Sequence, residues 1–203
     1  MIRWIIKLLL FGLFLWAVSG CAAPHRIPLH LAYPMERPRV IASTLQGPAL
    51  VRPLEDARET KDPIGRRIRI GGQVDTLSLD RPAGRVVAEM VVEALRRNGM
   101  NAELVSGPEG GMSPPPRWII EGVVRELRAE AKGGIFHVRY RVRTVLELTV
   151  QDRRQGDRIT VKLESRSEPV AVRFTPEGFE RVVVEILADA VDRFVMEPRF
   201  RQS

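Results

Sequence analysis

The stretch Phe136-His137-Val138-Arg139-Tyr140-Arg141-Val142-Arg143-Thr144-Val145-Leu146-Glu147-Leu148-Thr149-Val150-Gln151 carries the clearest period in the chain. Phe136, Val138, Tyr140, Val142, Thr144, Leu146, Leu148 and Val150 share one parity, and His137, Arg139, Arg141, Arg143, Glu147 and Gln151 the other. Side chains alternate across a β-strand, so the pattern predicts a long strand with one buried and one wet face. Only Val145 and Thr149 soften the polar side.

The neighbours extend this strand into a meander. Trp118 to Ala129 reads as the strand before it, with Lys132-Gly133-Gly134 as the turn. Asp152 to Asp157, with Gly156, reads as the next turn, and Ile159, Val161 and Leu163 open a third strand running towards Arg173. Thr175 is then placed to cap a helix with Pro176 at its first position. Phe179, Val182, Val183, Ile186, Leu187, Ala190 and Phe194 give that helix an apolar stripe, and Pro198 ends it.

The first half of the chain is weaker in pattern. Ala49 to Leu54 reads as a short strand, and Arg67 to Ile70 with Thr76 to Leu79 as an edge hairpin around Gly71-Gly72. Asp80 is placed to cap a helix that carries Pro82 in its first turn, Val87, Met90, Val91, Ala94 and Leu95 on one face, and Gly99 just past its end. Asn101 to Val105 follows as a strand, and Gly107 to Pro116 as a loop. Two amphipathic helices and a meander with one oily face satisfy each other when both helices pack on that face. The expected fold is therefore α+β, a two-layer sandwich with a mostly antiparallel sheet: a strand-helix-strand unit, then a three-stranded meander, with two helices on one face.

At the amino terminus Arg3 and Lys7 precede an apolar run from Leu8 to Val18, and Ser19-Gly20-Cys21 follows. The run is short for a membrane span, which needs roughly 20 apolar residues, and has the form of a secretory signal. Val18-Ser19-Gly20-Cys21 resembles the lipobox of bacterial lipoproteins, which implies cleavage after Gly20 and lipid on Cys21. One acyl chain holds a protein only marginally on a membrane, whereas two or more anchor it stably. Cys21 is the only cysteine, so a lipidated chain has no thiol left for a disulfide. Ala22 and Ala23 stand where an aspartate commonly signals inner-membrane retention, which favours the outer membrane, facing the periplasm.

The expected organisation is a signal peptide over 1–20, a lipidated cysteine and Pro-rich tether over 21–46, one periplasmic domain over 47–198 and a tail over 199–203. Pro24, Pro28, Pro34 and Pro38 favour extended chain of about 3.1 Å per residue, enough to hold the domain away from the bilayer. The other reading of this segment is that Leu29, Leu31, Tyr33, Val40 and Ile41 dock it on the domain.

The whole chain carries a net charge of +7, and +5 without the first twenty residues. Such a balance suits anionic partners. With 3 Trp and 2 Tyr the chain has too few of these rings for base-stacking platforms, which argues against nucleic acid. The three histidines, His25, His30 and His137, have no Cys, His or carboxylate neighbours at metal-ligand spacing. No serine stands in a Gly-x-Ser-x-Gly turn. Ser106-Gly107-Pro108-Glu109-Gly110-Gly111 lacks the Gly-Lys-Ser/Thr ending of a phosphate cradle. Neither a cofactor nor a catalytic residue is therefore expected.

The one candidate site is the row His137, Arg139, Arg141 and Arg143, spaced about 6.8 Å apart on one strand face. Forked guanidinium contacts would hold phosphates or carboxylates there. The plainer reading, which is preferred, is a solvated face balanced by Glu121, Glu126, Glu147, Glu164 or Glu168.

Leu95-Arg96-Arg97-Asn98-Gly99-Met100 closing a helix, the hairpin through Gly134 to Val138-Arg139-Tyr140, the lipobox and the closing amphipathic helix together resemble the YajG-type lipoproteins of the bacterial envelope. The resemblance covers most of the chain after about Ala83 and implies no catalytic residues. The expectation is a non-enzymatic, lipid-anchored accessory module that binds a protein partner in an envelope complex. The rivals are an auxiliary that handles lipid or lipopolysaccharide through the basic row, and a cell-wall hydrolase with a cleft of paired carboxylates.

Overall fold

The computed structural model describes residues 25–37, 45, 47–107 and 114–201. Gly20, Cys21 and the rest of the lipobox lie outside the described residues. So do Val40 and Ile41 of the Pro-rich segment.

The long strand takes the central place that its period predicts. The strands among the described residues are β1 (Arg26–Leu29), β2 (Ala49–Val51), β3 (Glu55–Asp56), β4 (Gly65–Ile68), β5 (Val74–Leu79), β6 (Ala102–Leu104), β7 (Trp118–Gly133), β8 (Val138–Asp152), β9 (Arg158–Ser167) and β10 (Val170–Ala171). Helix α1 (Ala83–Arg97) lies between β5 and β6, and α2 (Pro176–Val195) follows β10. The β7–β8–β9 meander is antiparallel throughout, with one bulge where the register shifts between Val124 and Glu126.

The expectation of a mostly antiparallel two-layer sandwich needs correction, because the ten-stranded sheet is mixed. Three short strands, β2, β3 and β4, lie in succession along the free edge of β7, all parallel to it. Beyond β2 lies β6, parallel; beyond β4 lies β5, antiparallel; and beyond β5 lies β1, parallel. Short turns between sequence neighbours make the antiparallel meander readable. The parallel pairs join segments far apart in sequence, which local periodicity does not report.

Both helices cover one face. Their buried stripes, with Val87, Met90, Val91 and Leu95 on α1 and Phe179, Val183, Leu187 and Phe194 on α2, meet the inward parity of β7 and β8 in one continuous core. At the start of α2 the Gly178 N–H donates to Thr175 Oγ1 at 3.0 Å, as its sequence predicts. Asp80 does not cap α1: the flanking residue is Pro82, without a side-chain cap, and Asp80 instead accepts from His30 Nδ1 at 2.9 Å. Gly84, in the first turn of α1, sits so close to the β2–β3 connection that a Cβ would fall 1.8 Å from the Leu54 carbonyl oxygen.

The described part of the Pro-rich segment, 25–37, docks rather than stands off. β1 adds to β5 from Arg26↔Thr76 to Leu29↔Leu79, so the β4–β5 hairpin is not an edge. Leu29 and Leu31 are fully buried, each worth about 1.5–3 kcal/mol of apolar burial. Tyr33 and Arg37 both bond Asp192 of α2. The tail docks as well: Phe200, in a 3₁₀ turn, packs edge-to-face on Phe194 at 5.4 Å. In sequence, β1 begins five residues after Cys21.

Candidate functional site

The face of the sheet opposite the helices carries the candidate row. Arg139, Arg141 and Arg143 project from β8 on this outer face, as the strand period predicts. His137 does not join them. The strand starts one residue later, so His137 lies exposed in the turn, where its carbonyl accepts from the Gly134 N–H at 2.7 Å. Phe136, assigned by parity to the buried face, is in the same turn and 85 % exposed.

Two members of the row are already neutralised. Arg141 reaches Glu168 at 3.1 Å and Glu130 at 3.7 Å, and Arg143 reaches Glu164 at 2.9 Å and Glu126 at 3.3 Å. Around them Arg66 pairs with Glu130 and Arg125 with Glu147, each at 2.9 Å, and Arg158 pairs with Glu121. Each exposed pair adds only about 0–1 kcal/mol to stability, but together they cancel the field that would draw an anion to the middle of the face. A hollow of about 700 Å³ where β3 gives way to β4 is bounded by the same lattice, through Arg66, Arg125, Glu126 and Glu130.

The end of the row is different. Arg139 stands opposite Lys132 of β7 on one side and Val170 of β10 on the other. Neither Arg139 nor Lys132 has an ion-pair partner among the described residues. The same level continues through Ile68 of β4 to Val74 of β5. One lateral line across the sheet therefore reads Val74, Ile68, Lys132, Arg139, Val170: two cations between apolar residues. Beyond that line project Ile70, Ile135, Phe136 and Val172, all largely exposed. A Cβ on Gly133 would lie 3.6 Å from Ile70 Cγ1, so the two turns touch.

The strand period alone does not find this end, since Ile70, Ile135 and Val172 lie in turns or past strand ends. A signal was present: Ile135-Phe136 directly follows Gly133-Gly134, a place where a turn is ordinarily polar.

At the far end of the sheet the titratable groups serve the fold. Asp152, buried, accepts from Arg117 Nη2 at 2.7 Å and Nε at 3.1 Å and from the Arg154 N–H at 2.7 Å. Burial acts to raise its pKa, but these bonds outweigh it and hold the carboxyl below its ordinary value. Arg117 also lies 4.3 Å over the Trp118 ring. On the helix side, burial and then the bond to Asp192 push the Tyr33 hydroxyl far above its ordinary range.

Among the described residues no three His, Cys, Asp or Glu side chains group so as to hold a metal ion, and no helix is long and apolar enough to cross a membrane. No protein-family model and no curated protein sequence matches the chain. Solved structures share the fold. A Xanthomonas campestris protein of the DUF330 family is similar with a TM-score of 0.56 at 11% identity, over 83% of this chain and 92% of that one. The crystal structure of an uncharacterised protein is similar with a TM-score of 0.53 at 10% identity, over 86% and 98%. Lipoprotein GNA1162 from Neisseria meningitidis aligns over 71% of this chain and 96% of its own at 13% identity, but its TM-score of 0.29 carries no argument. The first two likenesses establish a shared fold.

Proposed function

We propose that the protein is a non-enzymatic envelope lipoprotein, cleaved after Gly20 and anchored by lipid on Cys21, that serves as a binding module in a protein complex of the outer membrane, facing the periplasm. The observation that carries this reading is the junction between lipobox and fold. Cys21 stands four residues ahead of His25, the first described residue, and β1 enters the sheet immediately afterwards. An acyl group at Cys21 then tethers a rigid body. The rival in which the whole basic row handles lipid or lipopolysaccharide is weakened at Arg141 and Arg143, each held by two carboxylates.

The test is fractionation with chemical capture. Cys21→Ser should abolish incorporation of labelled palmitate and move the protein from the membrane to the soluble periplasmic fraction. Crosslinking in native membranes should capture a stoichiometric protein partner. Unchanged membrane fractionation of the variant would sink the anchor, and a protein that stays solitary at every crosslinker length would sink the complex.

A further inference from the structure

Where the chain enters the fold fixes which end of it faces the anchor. His25 lies at the start of β1, where its carbonyl accepts from the Thr76 N–H at 2.9 Å. The registers place Arg26 level with Thr76, Arg66, Glu130 and Arg141 across β5, β4, β7 and β8. His25 is therefore level with Ala131, close to the β7–β8 turn. Only Ala22, Ala23 and Pro24 separate it from Cys21, so the two Cα atoms are at most about 14 Å apart. From β1 to β8 the sheet is about 19 Å wide, four strand spacings. A leaflet holding an acyl chain on Cys21 thus lies within reach of this end and is remote from the Arg153–Asp157 turn at the other.

This end is built unlike the rest of the surface. Of the eight large hydrophobic residues exposed among the described residues, six gather here: Ile70, Val74, Ile135, Phe136, Val170 and Val172. Lys132, Arg139 and Arg173 stand among them, exposed and without ion-pair partners among the described residues. The nearby carboxylates are engaged, Asp75 buried under Arg67 and Arg69 and Glu168 on Arg141. Apolar tips ringed by these cations match the boundary between anionic headgroups and acyl chains. Exposed apolar patches of this kind otherwise favour association in water.

We infer that this end of the sheet is a second membrane contact. Ile135 and Phe136, flanked by Ile70 and Val172, enter the headgroup–acyl boundary of the leaflet that holds the Cys21 lipid, while Lys132, Arg139 and Arg173 take lipid phosphates. The domain then stands on its β7–β8 turn with the outer face upright, rather than hanging from a long tether. The inference rests on the lipid-anchor reading.

Acylation of the only native cysteine leaves an introduced one as the only free thiol. Phe136→Cys and, as the control at the far turn, Gln155→Cys are expressed as full-length lipidated protein. Each is labelled with an environment-sensitive fluorophore and reconstituted in phosphatidylcholine vesicles with a minority of phosphatidylglycerol. The expected result is a blue shift and several-fold stronger quenching by lipid-borne nitroxide at 136 than at 155, reduced when Lys132, Arg139 and Arg173 are changed to Ala. Equal water exposure of both labels on protein that floats with the vesicles overturns the contact while leaving the anchor standing. A label at 136 buried without vesicles indicates a second copy of the chain on this end and overturns it too. Failure of the anchor itself reads differently: two labels per chain, because Cys21 is free, and loss of flotation.

Discussion

The two turns that bound β8 face opposite ends of the sheet and are made of opposite materials. The Gly134–His137 turn exposes Ile135 and Phe136 beside Lys132 and Arg139, whereas the Arg153–Asp157 turn is polar and sits against a closed electrostatic lock, with Asp152 buried under Arg117 and the Arg154 N–H. One strand therefore joins an end closed by a buried ion pair to an end where exposed apolar area is kept. Selection for folding alone would not favour the second. The contrast teaches that the sheet is oriented, and the docked amino-terminal segment says towards what.

The largest effect is expected where the amino-terminal segment is a strand of the fold rather than a tether. Leu29, paired with Leu79 of β5, is fully buried in the core. Leu29→Ala should lower unfolding free energy by about 2–5 kcal/mol, the range for large-to-small core changes, as read from urea denaturation. A loss within about 0.5 kcal/mol, typical of surface substitutions, would return residues 25–37 to a loose tether and dissolve the orientation with it. The locked end should announce itself next, through acid. Asp152 has a folded pKa below its unfolded value of 3.8, so its contribution is complete above that value and is lost as pH falls through the folded one. Wild-type stability should decline below about pH 4, while Asp152→Asn, already weaker at neutral pH, should lose less on the same descent. An identical acid limb in both proteins would mean that the lock is not where this end is held.

Much of the architecture was legible because its signals are local. Alternation from Val138 to Val150 gave the central strand, Thr175-Pro176 the start of α2, and Gly71-Gly72 the β4–β5 turn, with φ of 91° and 86°. What was not legible depends on distant pairing. β2, β3 and β4 are too short to show a period, and their parallel register along β7 is set by tertiary packing. Arg26-Ile27-Pro28-Leu29 reads as proline-rich linker. Pro28 is nevertheless tolerated because β1 is the outermost strand beside β5, where a missing N–H can face water. The arginine row was legible as a row. Its neutralisation was not, since the carboxylates come from β7, β9 and the segment before β10. The apolar end was masked by parity, which placed Phe136 in the core.

The smallest expected effect is also the sharpest discriminator between the two turns. A hydrophobic side chain that contributes to folding loses stability when made polar, and one that waits for a surface outside the molecule does not. Phe136 is 85 % and Ile135 79 % exposed, so the double change Ile135→Ser, Phe136→Ser removes almost no buried area and should leave the thermal midpoint and urea profile within about 0.5 kcal/mol of wild type. A drop comparable to that of Leu29→Ala would show that the turn packs against the fold in solution. The apolar end would then be part of the core's support, and the contrast between the two ends of β8 would be one of degree.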